Sequence, residues 1–155
     1  MTLIRLIVLI LALSLWHNTP ALAQPVEVQP LAFGKFAMSD NHAQYSVIMS
    51  PAGVETYPPK IHPFDQGQPA IFLLEHYPAD TEMMPSIGDI VLNPVPFGAG
   101  PTFDLMNFTF SPEPPMTNGA GSLTLNVGAT LRTDGSGTLY NDGNYAGTYT
   151  LTINY

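Results

Sequence analysis

The sequence has 155 residues, with 12 acidic and 4 basic side chains and a formal net charge of −8. Nucleic acid and anionic membrane surfaces are therefore poor partners, because neutralising phosphate groups requires clustered Lys and Arg side chains. The chain has no cysteine, which excludes a disulfide framework and leaves the hydrophobic core to hold the fold.

The N-terminal segment has the pattern of a secretory signal peptide. Arg5 precedes an apolar stretch over residues 6–16, and a small-x-small sequence, Ala-Leu-Ala, ends at Ala23. The stretch is shorter than the roughly 20 residues of a membrane-spanning helix. We therefore predict a signal peptide over residues 1–23, cleaved after Ala23. The alternative is an uncleaved membrane anchor, which the cleavage pattern disfavours.

Cleavage would leave residues 24–155 as a single domain of ordinary size. Without Arg5, three basic residues (Lys35, Lys60 and Arg132) stand against twelve acidic ones, which gives a net charge of 3 − 12 = −9. Charged residues make up 10% of the chain, well below the roughly 25% of a typical soluble domain. Thr, Ser, Asn and Gln must therefore cover much of the surface.

The rest of the chain predicts an all-β fold. Its 16 prolines and 13 glycines leave no uninterrupted stretch that would suit a long helix. Between the interruptions lie seven short runs rich in β-branched and aromatic residues. The runs cover residues 26–38, 44–49, 70–77, 89–92, 102–110, 122–132 and 144–155. About seven short strands separated by turn residues predict an antiparallel β-sandwich.

The last two runs define their faces most clearly. In residues 122–132, odd positions are apolar and even positions are mostly small or polar. One face of that strand should therefore be buried in the core and the other exposed to solvent. Residues 144–155 repeat this parity, and a slip of one residue would expose the whole apolar set, so we expect a strongly fixed register. The apolar set of this structural C-terminal strand is Tyr145, Tyr149, Leu151, Ile153 and Tyr155.

Glycines and turn sequences mark the connections. Gly128 and Gly147 lie inside strand patterns, where glycine indicates a bulge or a close approach of two backbones. The sequences Asp-Gly-Ser-Gly at 134–137 and Asn-Asp-Gly at 141–143 are typical of hairpin loops,. Residues 77–88 and 111–115 have no period and are interpreted as loops.

Side chains that could perform chemistry do not form a recognised motif. His42, His62 and His76 lack the spacing of a metal site, and no nucleophile elbow surrounds Ser136,. We therefore predict no catalytic residue, no cofactor and no metal. Three tyrosines in or near loops could instead stack on sugar rings. These are Tyr57, Tyr77 and Tyr140.

Three stretches resemble a known family of secreted bacterial proteins, the domain of unknown function DUF4402. They are PLAFGKF at residues 30–36, LTLNVGATL at residues 123–131 and GNYAGTYTLTINY at residues 143–155. The resemblance implies an immunoglobulin-like sandwich located in the periplasm or on the cell surface of a Gram-negative bacterium. It implies no catalysis.

The ending is also similar, more distantly, to that of spore coat protein U domains and of chaperone–usher pilin subunits. That resemblance implies that the odd-numbered residues of the last strand face the core or a groove, with Gly143 and Gly147 at the bends. It also implies a partner that adds a strand, either a periplasmic chaperone or another envelope protein. At the other end, residues 24–30 offer only Val26 and Val28 between prolines, which is a poor donor strand,.

Together these features predict a secreted, non-enzymatic protein of the cell envelope or surface. It would be a structural or adhesive pilin-like subunit that acts through strand pairing or loop contacts. The alternative is an extracytoplasmic module that binds a glycan or a small molecule with the loops at residues 77–88, 93–102 and 111–121. A periplasmic hydrolase is disfavoured because no catalytic motif is present.

Overall fold

The structure is a computed structural model that describes residues 23–95 and 100–155, so the predicted signal peptide lies outside the described residues except for Ala23. The described residues form twelve β-strands and no helix. None of them belongs to a helix that could cross a membrane. The strand pairs are antiparallel, and the sheets curl into a half-barrel. The prediction of an all-β, sandwich-like antiparallel fold is confirmed.

Most of the strands are short, which follows from the frequent prolines and glycines. Their bounds are β1 Gln24–Gln29, β2 Lys35–Met38, β3 Ser46–Met49, β4 Glu55–Thr56, β5 Ile61–Asp65, β6 Ala70–Glu75, β7 Met84–Ser86, β8 Ile90–Val95, β9 Phe103–Ser111, β10 Leu123–Thr133, β11 Asn144–Ala146 and β12 Thr152–Asn154.

Strand β10 is the centre of the main sheet. It pairs with β9 along one edge, and its other edge is shared by β6, at residues 123–127, and β3, at residues 129–132. The partner changes at Gly128, where the register with β9 also shifts. A Cβ atom on Gly128 would lie 2.3 Å from the carbonyl oxygen of Met49, so no side chain fits there. The predicted bulge and close approach at Gly128 are both confirmed.

The main sheet has eight strands in the order β1-β6-β10-β9-β8-β11, with β3 attached to β10 and β4 to β3. Two further pairs, β2 with β5 and β7 with β12, form separate two-stranded sheets. Residues of β10 alternate between buried and more exposed positions along most of the strand. The main sheet therefore turns one face to the core, as an antiparallel sheet with one solvated face does.

The core consists of two clusters. The first, which we call the front cluster, holds Phe33, Val47, Met49, Ile61, Phe103, Leu105, Ala129 and Leu131. The second, the rear cluster, holds Ala70, Phe72, Leu74, Tyr77, Met83, Leu123, Leu125 and Val127. Strand β10 contributes to both, so the two clusters are joined along its length.

The strand count differs from the prediction of about seven. The first predicted run, residues 26–38, is divided into β1 and β2 by a bend that contains Gly34. Strands β4, β5 and β7 were not predicted, and β7 lies within the predicted loop over residues 77–88. Both β5 and β7 contain a proline, which weakens a sequence signal for a strand but is tolerated in short edge pairs.

Candidate functional site

The last residues of the chain form two strands rather than the predicted single one. β11 pairs with β8 and β12 pairs with β7, and no strand covers residues 147–151. The physical reason is that β8 and β7 belong to different sheets, so the chain must leave the first before it can pair with the second. We call residues 144–155 the C-terminal segment.

The C-terminal segment keeps the expected parity on four of its five large side chains. Tyr145, Tyr149, Leu151 and Ile153 are half-buried, whereas every even-numbered residue from 144 to 154 is exposed. Tyr155 is 62% exposed, although its ring meets that of Tyr77 edge-on at 5.4 Å. The segment therefore covers the core with four side chains and leaves the fifth at the surface.

These side chains connect the two core clusters. Tyr145 packs against the front cluster, while Tyr149, Leu151 and Ile153 pack against the rear cluster. The Tyr149 hydroxyl donates a hydrogen bond of 2.5 Å to Oε1 of Glu27 in β1. Burial, together with this bond to a carboxylate, raises the pKa of Tyr149 above its usual range,.

The two glycines at the predicted bends differ in their surroundings. A Cβ atom on Gly147 would lie 2.8 Å from Cδ2 of Leu92 and 3.0 Å from the carbonyl oxygen of Val91. Gly143 has nothing within 4 Å of such an atom. Only Gly147 therefore lies in a close approach, against strand β8.

An open groove with a volume of about 1050 Å³ lies beside this segment. One wall is residues 31–38, which contain β2, and the other is residues 139–147, which contain β11. Its floor is made by core side chains of the main sheet, namely Leu92, Phe103, Leu105 and Leu131. We call this feature the aromatic groove.

Each wall of the aromatic groove contains an edge strand, β2 in the first wall and β11 in the second. Within the described residues, β2 pairs only with β5 and β11 pairs only with β8. Each strand therefore has one edge without a strand partner, and such an edge carries backbone N–H and C=O groups that can pair with another chain. These two strands, each with one unpaired edge, flank a single apolar floor.

The path of the first wall depends on Gly34. Its φ is +65°, and a Cβ atom there would lie 2.1 Å from the carbonyl oxygen of Asp65. Only glycine combines that left-handed backbone with so close an approach. The register between β2 and β5 shifts beside it, between Lys35 and Phe36, so Gly34 helps to set the direction in which β2 runs along the groove.

Aromatic rings surround Phe103 at the floor of the groove. Its ring is stacked on Tyr140 at 4.2 Å and meets Tyr145 edge-on at 4.9 Å and Phe36 edge-on at 5.9 Å. Offset-stacked and edge-to-face pairs at these separations are favourable arrangements. Phe103 therefore joins both walls of the groove through the packing of rings.

Tyr140 is also fixed through its hydroxyl group. It donates a hydrogen bond of 2.7 Å to the carbonyl oxygen of Thr102 and accepts one of 3.0 Å from the backbone N–H of Asp134. Burial raises the pKa of Tyr140 to about 12. The bond from the Asp134 backbone lowers the pKa, and the negative charges of Asp134 and Asp104 raise it further,.

A buried asparagine holds the loop that leads into the second wall. The Asn41 amide donates hydrogen bonds of 2.7 Å to Oδ1 of Asp134 and to the carbonyl oxygen of Thr138. Asn41 is fully buried, and a buried amide is stable only when it is hydrogen-bonded. This contact fixes the loop just before Tyr140, although nothing in the sequence around Asn41 indicated it.

Exposed apolar and charged side chains lie at the rim of the groove. Phe64 in β5 is 73% exposed and Leu139 is 63% exposed. The ammonium group of Lys35 lies 3.0 Å from a carboxylate oxygen of Asp65, and both side chains are mostly exposed. Asp142 is an exposed part of the second wall. Sequence reasoning missed Phe64 because Pro63 obscured the alternation of β5.

The candidate metal ligands do not come together. Among residues 23–95 and 100–155, no group of three or more His, Asp or Glu side chains could hold a metal ion. Nδ1 of His42 lies 2.6 Å from Oδ1 of Asp40, whose other oxygen accepts a bond from Tyr45. Hydrogen bonds from His42 and Tyr45 hold the pKa of Asp40 well below its usual range. Ser136 lies in a loop, where its backbone N–H donates a hydrogen bond to Oδ1 of Asp134.

The three tyrosines considered for stacking on sugars are not free at the surface. Tyr77 is buried in the rear cluster, and Tyr57 and Tyr140 are half-buried. Burial beside Glu55 raises the pKa of Tyr57 above its usual range. The exposed aromatic ring of this region is that of Phe64 instead.

Comparison with known proteins gives a family and no closer relative. No curated protein and no solved structure matches the chain. One family model, described as a domain of unknown function (DUF4402), matches residues 24–155. Because this match extends over most of the sequence, the chain belongs to the DUF4402 family.

Proposed function

We propose that this is a secreted, non-enzymatic protein of the cell envelope or surface of a Gram-negative bacterium, which binds an extended segment of another protein in the aromatic groove. The observation that carries the proposal is the position of two partnerless strand edges, β2 and β11, on either side of one apolar floor. An inserted strand would have backbone partners on its edges and a core-like surface beneath it.

The physical basis is strand addition. Main-chain hydrogen bonds to an exposed edge supply affinity, and alternate side chains of the added strand enter pockets that supply specificity. One face of the inserted strand would rest on half-buried side chains of the lining, such as Phe36, Leu92 and Tyr145, which pack against the buried front cluster. The opposite face would point to solvent, because successive side chains of a strand point to opposite sides.

The sequence of the family adds support for this role. The signal-peptide pattern supports a location outside the cytoplasm, and the ending is similar to that of pilin-like subunits, in which a strand is added by a chaperone or a neighbouring subunit. We therefore propose an immunoglobulin-like, pilin-like structural or adhesive component, with a periplasmic chaperone or another envelope protein as partner. Because β1 is already paired with β6, we assign this chain the role of strand acceptor rather than donor.

A peptide-binding measurement tests this proposal. The protein is expressed with its own leader in a Gram-negative host, purified from the periplasm and titrated calorimetrically with a ten-residue peptide that alternates Val and Ser. We expect saturable binding, with slower amide hydrogen exchange in residues 35–38 and 144–146. A control peptide with prolines in place of two central serines lacks the N–H groups needed for pairing and should not bind.

Substitution of a rim residue links the binding to the groove. Phe64→Ala should weaken binding of the Val/Ser peptide by about tenfold, because a bound strand would cover part of a ring that is 73% exposed in the free protein,. Val54→Ala is the matched control, because Val54 is 63% exposed and does not line the groove. Absence of binding by the unmodified protein, or equal loss in both variants, would contradict the proposal.

A second candidate function is binding of a glycan or a small molecule. The observation that favours it is that the same groove is lined by the exposed Phe64 ring and by the polar side chains of Asn141 and Asn144. The volume of about 1050 Å³ is at the upper end of the roughly 300–1,000 Å³ of small-molecule sites. Saturable binding on a glycan array, lost in Phe64→Ala, would support this alternative over strand addition.

A further inference from the structure

We propose that the segment bound in the aromatic groove is basic, with apolar residues at alternate positions and Lys or Arg between them, and that it comes from a different protein rather than from a second copy of this chain. This inference rests on the proposed function, because it names the partner of the same groove. It follows from the charges of the protein and from what occupies the edges of its sheets.

After the predicted signal peptide, the few charged residues of the chain are mostly acidic. Twelve acidic residues stand against Lys35, Lys60 and Arg132. Two of these cations are already paired, Lys35 with Asp65 at 3.0 Å and Arg132 with Asp104 at 3.0 Å. A partner segment therefore meets a surface whose excess charge is negative, and a cationic segment is attracted over distances of about 10 Å at moderate salt.

The same sign of charge is present at the groove itself. Asp142 forms part of the second wall, and within the described residues its carboxylate makes no hydrogen bond or ion pair. Among the described residues that line the groove, Lys35 is the single basic one and Asp65 offsets it, so Asp142 leaves an excess of one negative charge.

The two faces of an inserted strand would meet different surroundings, one apolar and one charged. Residues that point down meet the apolar floor, so they must be apolar. Residues that point up lie between the rims that carry Asp65 and Asp142, so basic side chains there gain favourable charge contacts. Apolar side chains next to the strand ends can also contact Phe64 and Leu139, which are exposed at the rim.

A second copy of the chain fits this groove poorly. Two copies with a net charge of −9 each would repel one another at close range,. The N-terminal segment that could be exchanged between copies contains Val26 and Val28, but Glu27 lies between them. Its insertion would bring a carboxylate into an acidic groove, and Glu27 already bonds Tyr149 within its own chain.

The test compares three ten-residue peptides that have Val at alternate positions and either Lys, Ser or Glu at the others. The full protein, purified from the periplasm, is titrated with each at low and at high salt. We expect the Lys peptide to bind at least about tenfold more tightly than the Ser peptide at low salt, with the Glu peptide weakest. High salt should bring the three affinities together.

A pair of charge-reversed variants locates the effect. Asp142→Lys should reduce the preference for the Lys peptide, whereas Glu113→Lys makes the same change in net charge at an exposed position away from the groove lining and should reduce it less. Equal effects of the two variants would mean that net charge, not the groove, attracts the peptide, and would overturn the assignment of basic residues to this site.

The outcomes separate this inference from the proposed function. If the three peptides bind equally, the groove accepts a strand but does not select its charge, and the inference is wrong while the proposed function stands. If none binds, the proposed function fails. If the protein forms stable dimers that the Lys peptide cannot displace, the occupant is a second copy and the inference is wrong.

Discussion

Phe103 and Gly128 show how single residues define the core and the groove. Phe103 is 4% exposed and contacts the rings of Phe36, Tyr140 and Tyr145, so one side chain supports the floor and both walls of the aromatic groove. Gly128 acts by having no side chain, since the backbone of β3 passes directly against it. Phe103 acts by filling space in the core, whereas Gly128 acts by leaving room for the neighbouring backbone.

Replacement of Gly128 by alanine should destabilise the protein. The added methyl group would lie 2.3 Å from the carbonyl oxygen of Met49, so β3 must move away from β10, at a cost of about 1–3 kcal/mol. Gly143→Ala is the matched control, because nothing lies within 4 Å of its Cβ position. Urea unfolding should show a lower midpoint for Gly128→Ala alone, and equal midpoints would contradict this account of Gly128.

Stability at high pH should depend on Tyr140. Its pKa is raised to about 12 in the folded protein, against about 10 for an unfolded chain. A group whose pKa rises on folding contributes stability that is present below pH 10 and is lost as pH increases towards 12. The free energy of unfolding should therefore decrease across this range.

The variant Tyr140→Phe provides the measurement. It should show a smaller decrease in the free energy of unfolding between pH 10 and pH 12, since the titrating group is absent. Other tyrosines with raised pKa values, such as Tyr149, keep part of the dependence. An unchanged slope in Tyr140→Phe would show that the folded and unfolded pKa values of this residue are similar.

The C-terminal segment packs against the core although it does not form one continuous strand. Its two strands have three residues each, too short for much stability from strand pairing alone. What holds it is the contact of Tyr145 with the front cluster and of Tyr149, Leu151 and Ile153 with the rear cluster. The segment covers both clusters with side chains.

Deletion of residues 144–155 should abolish folding rather than a single activity. Four half-buried side chains would be lost, which would expose apolar surface in both clusters and remove one wall of the groove,. Near-ultraviolet circular dichroism and amide dispersion in NMR spectra would report the loss. The double variant Thr148→Ser/Thr150→Ser changes only exposed positions and should fold, whereas a folded deletion variant would show that the segment is dispensable.

The bounds of β10, whose sequence alternates regularly, were predicted to within one residue. Strand β10 spans 123–133 against a predicted 122–132, because its alternation of apolar and polar residues is nearly unbroken and one face is buried. The C-terminal segment has the same alternation, yet it divides where its neighbours change from β8 to β7. Periodicity reports which face is buried, but not which strand lies alongside.

The aromatic groove was beyond sequence reasoning for a related reason. Its walls lie about a hundred residues apart in the chain, and their partnerless edges result from the pairing of other strands. Gly34 and the two phenylalanines at 33 and 36 are part of the family resemblance, but no pattern within them indicates an edge beside a cavity. Edges depend on the whole sheet order, which a single sequence does not specify.

At the scale of the whole molecule, the predicted signal peptide bears on where the protein acts. We predict that expression of the complete sequence in a Gram-negative host yields an extracytoplasmic protein that begins at Gln24, because the small-residue sequence ends at Ala23,. Intact mass measurement of the periplasmic fraction checks this. A product that retains residues 1–23 in the membrane fraction would support the uncleaved anchor instead.

Because one edge of β10 pairs with both β3 and β6, the main sheet should fold slowly. Leu131 pairs with Val47 and Leu123 pairs with Leu74, so the central strand joins neighbours from distant parts of the chain. Folds dominated by such non-local pairs form in milliseconds to seconds, much more slowly than those with local contacts. A newly made chain would thus spend an appreciable time with unpaired strands before the C-terminal segment, which is synthesised last, covers both core clusters.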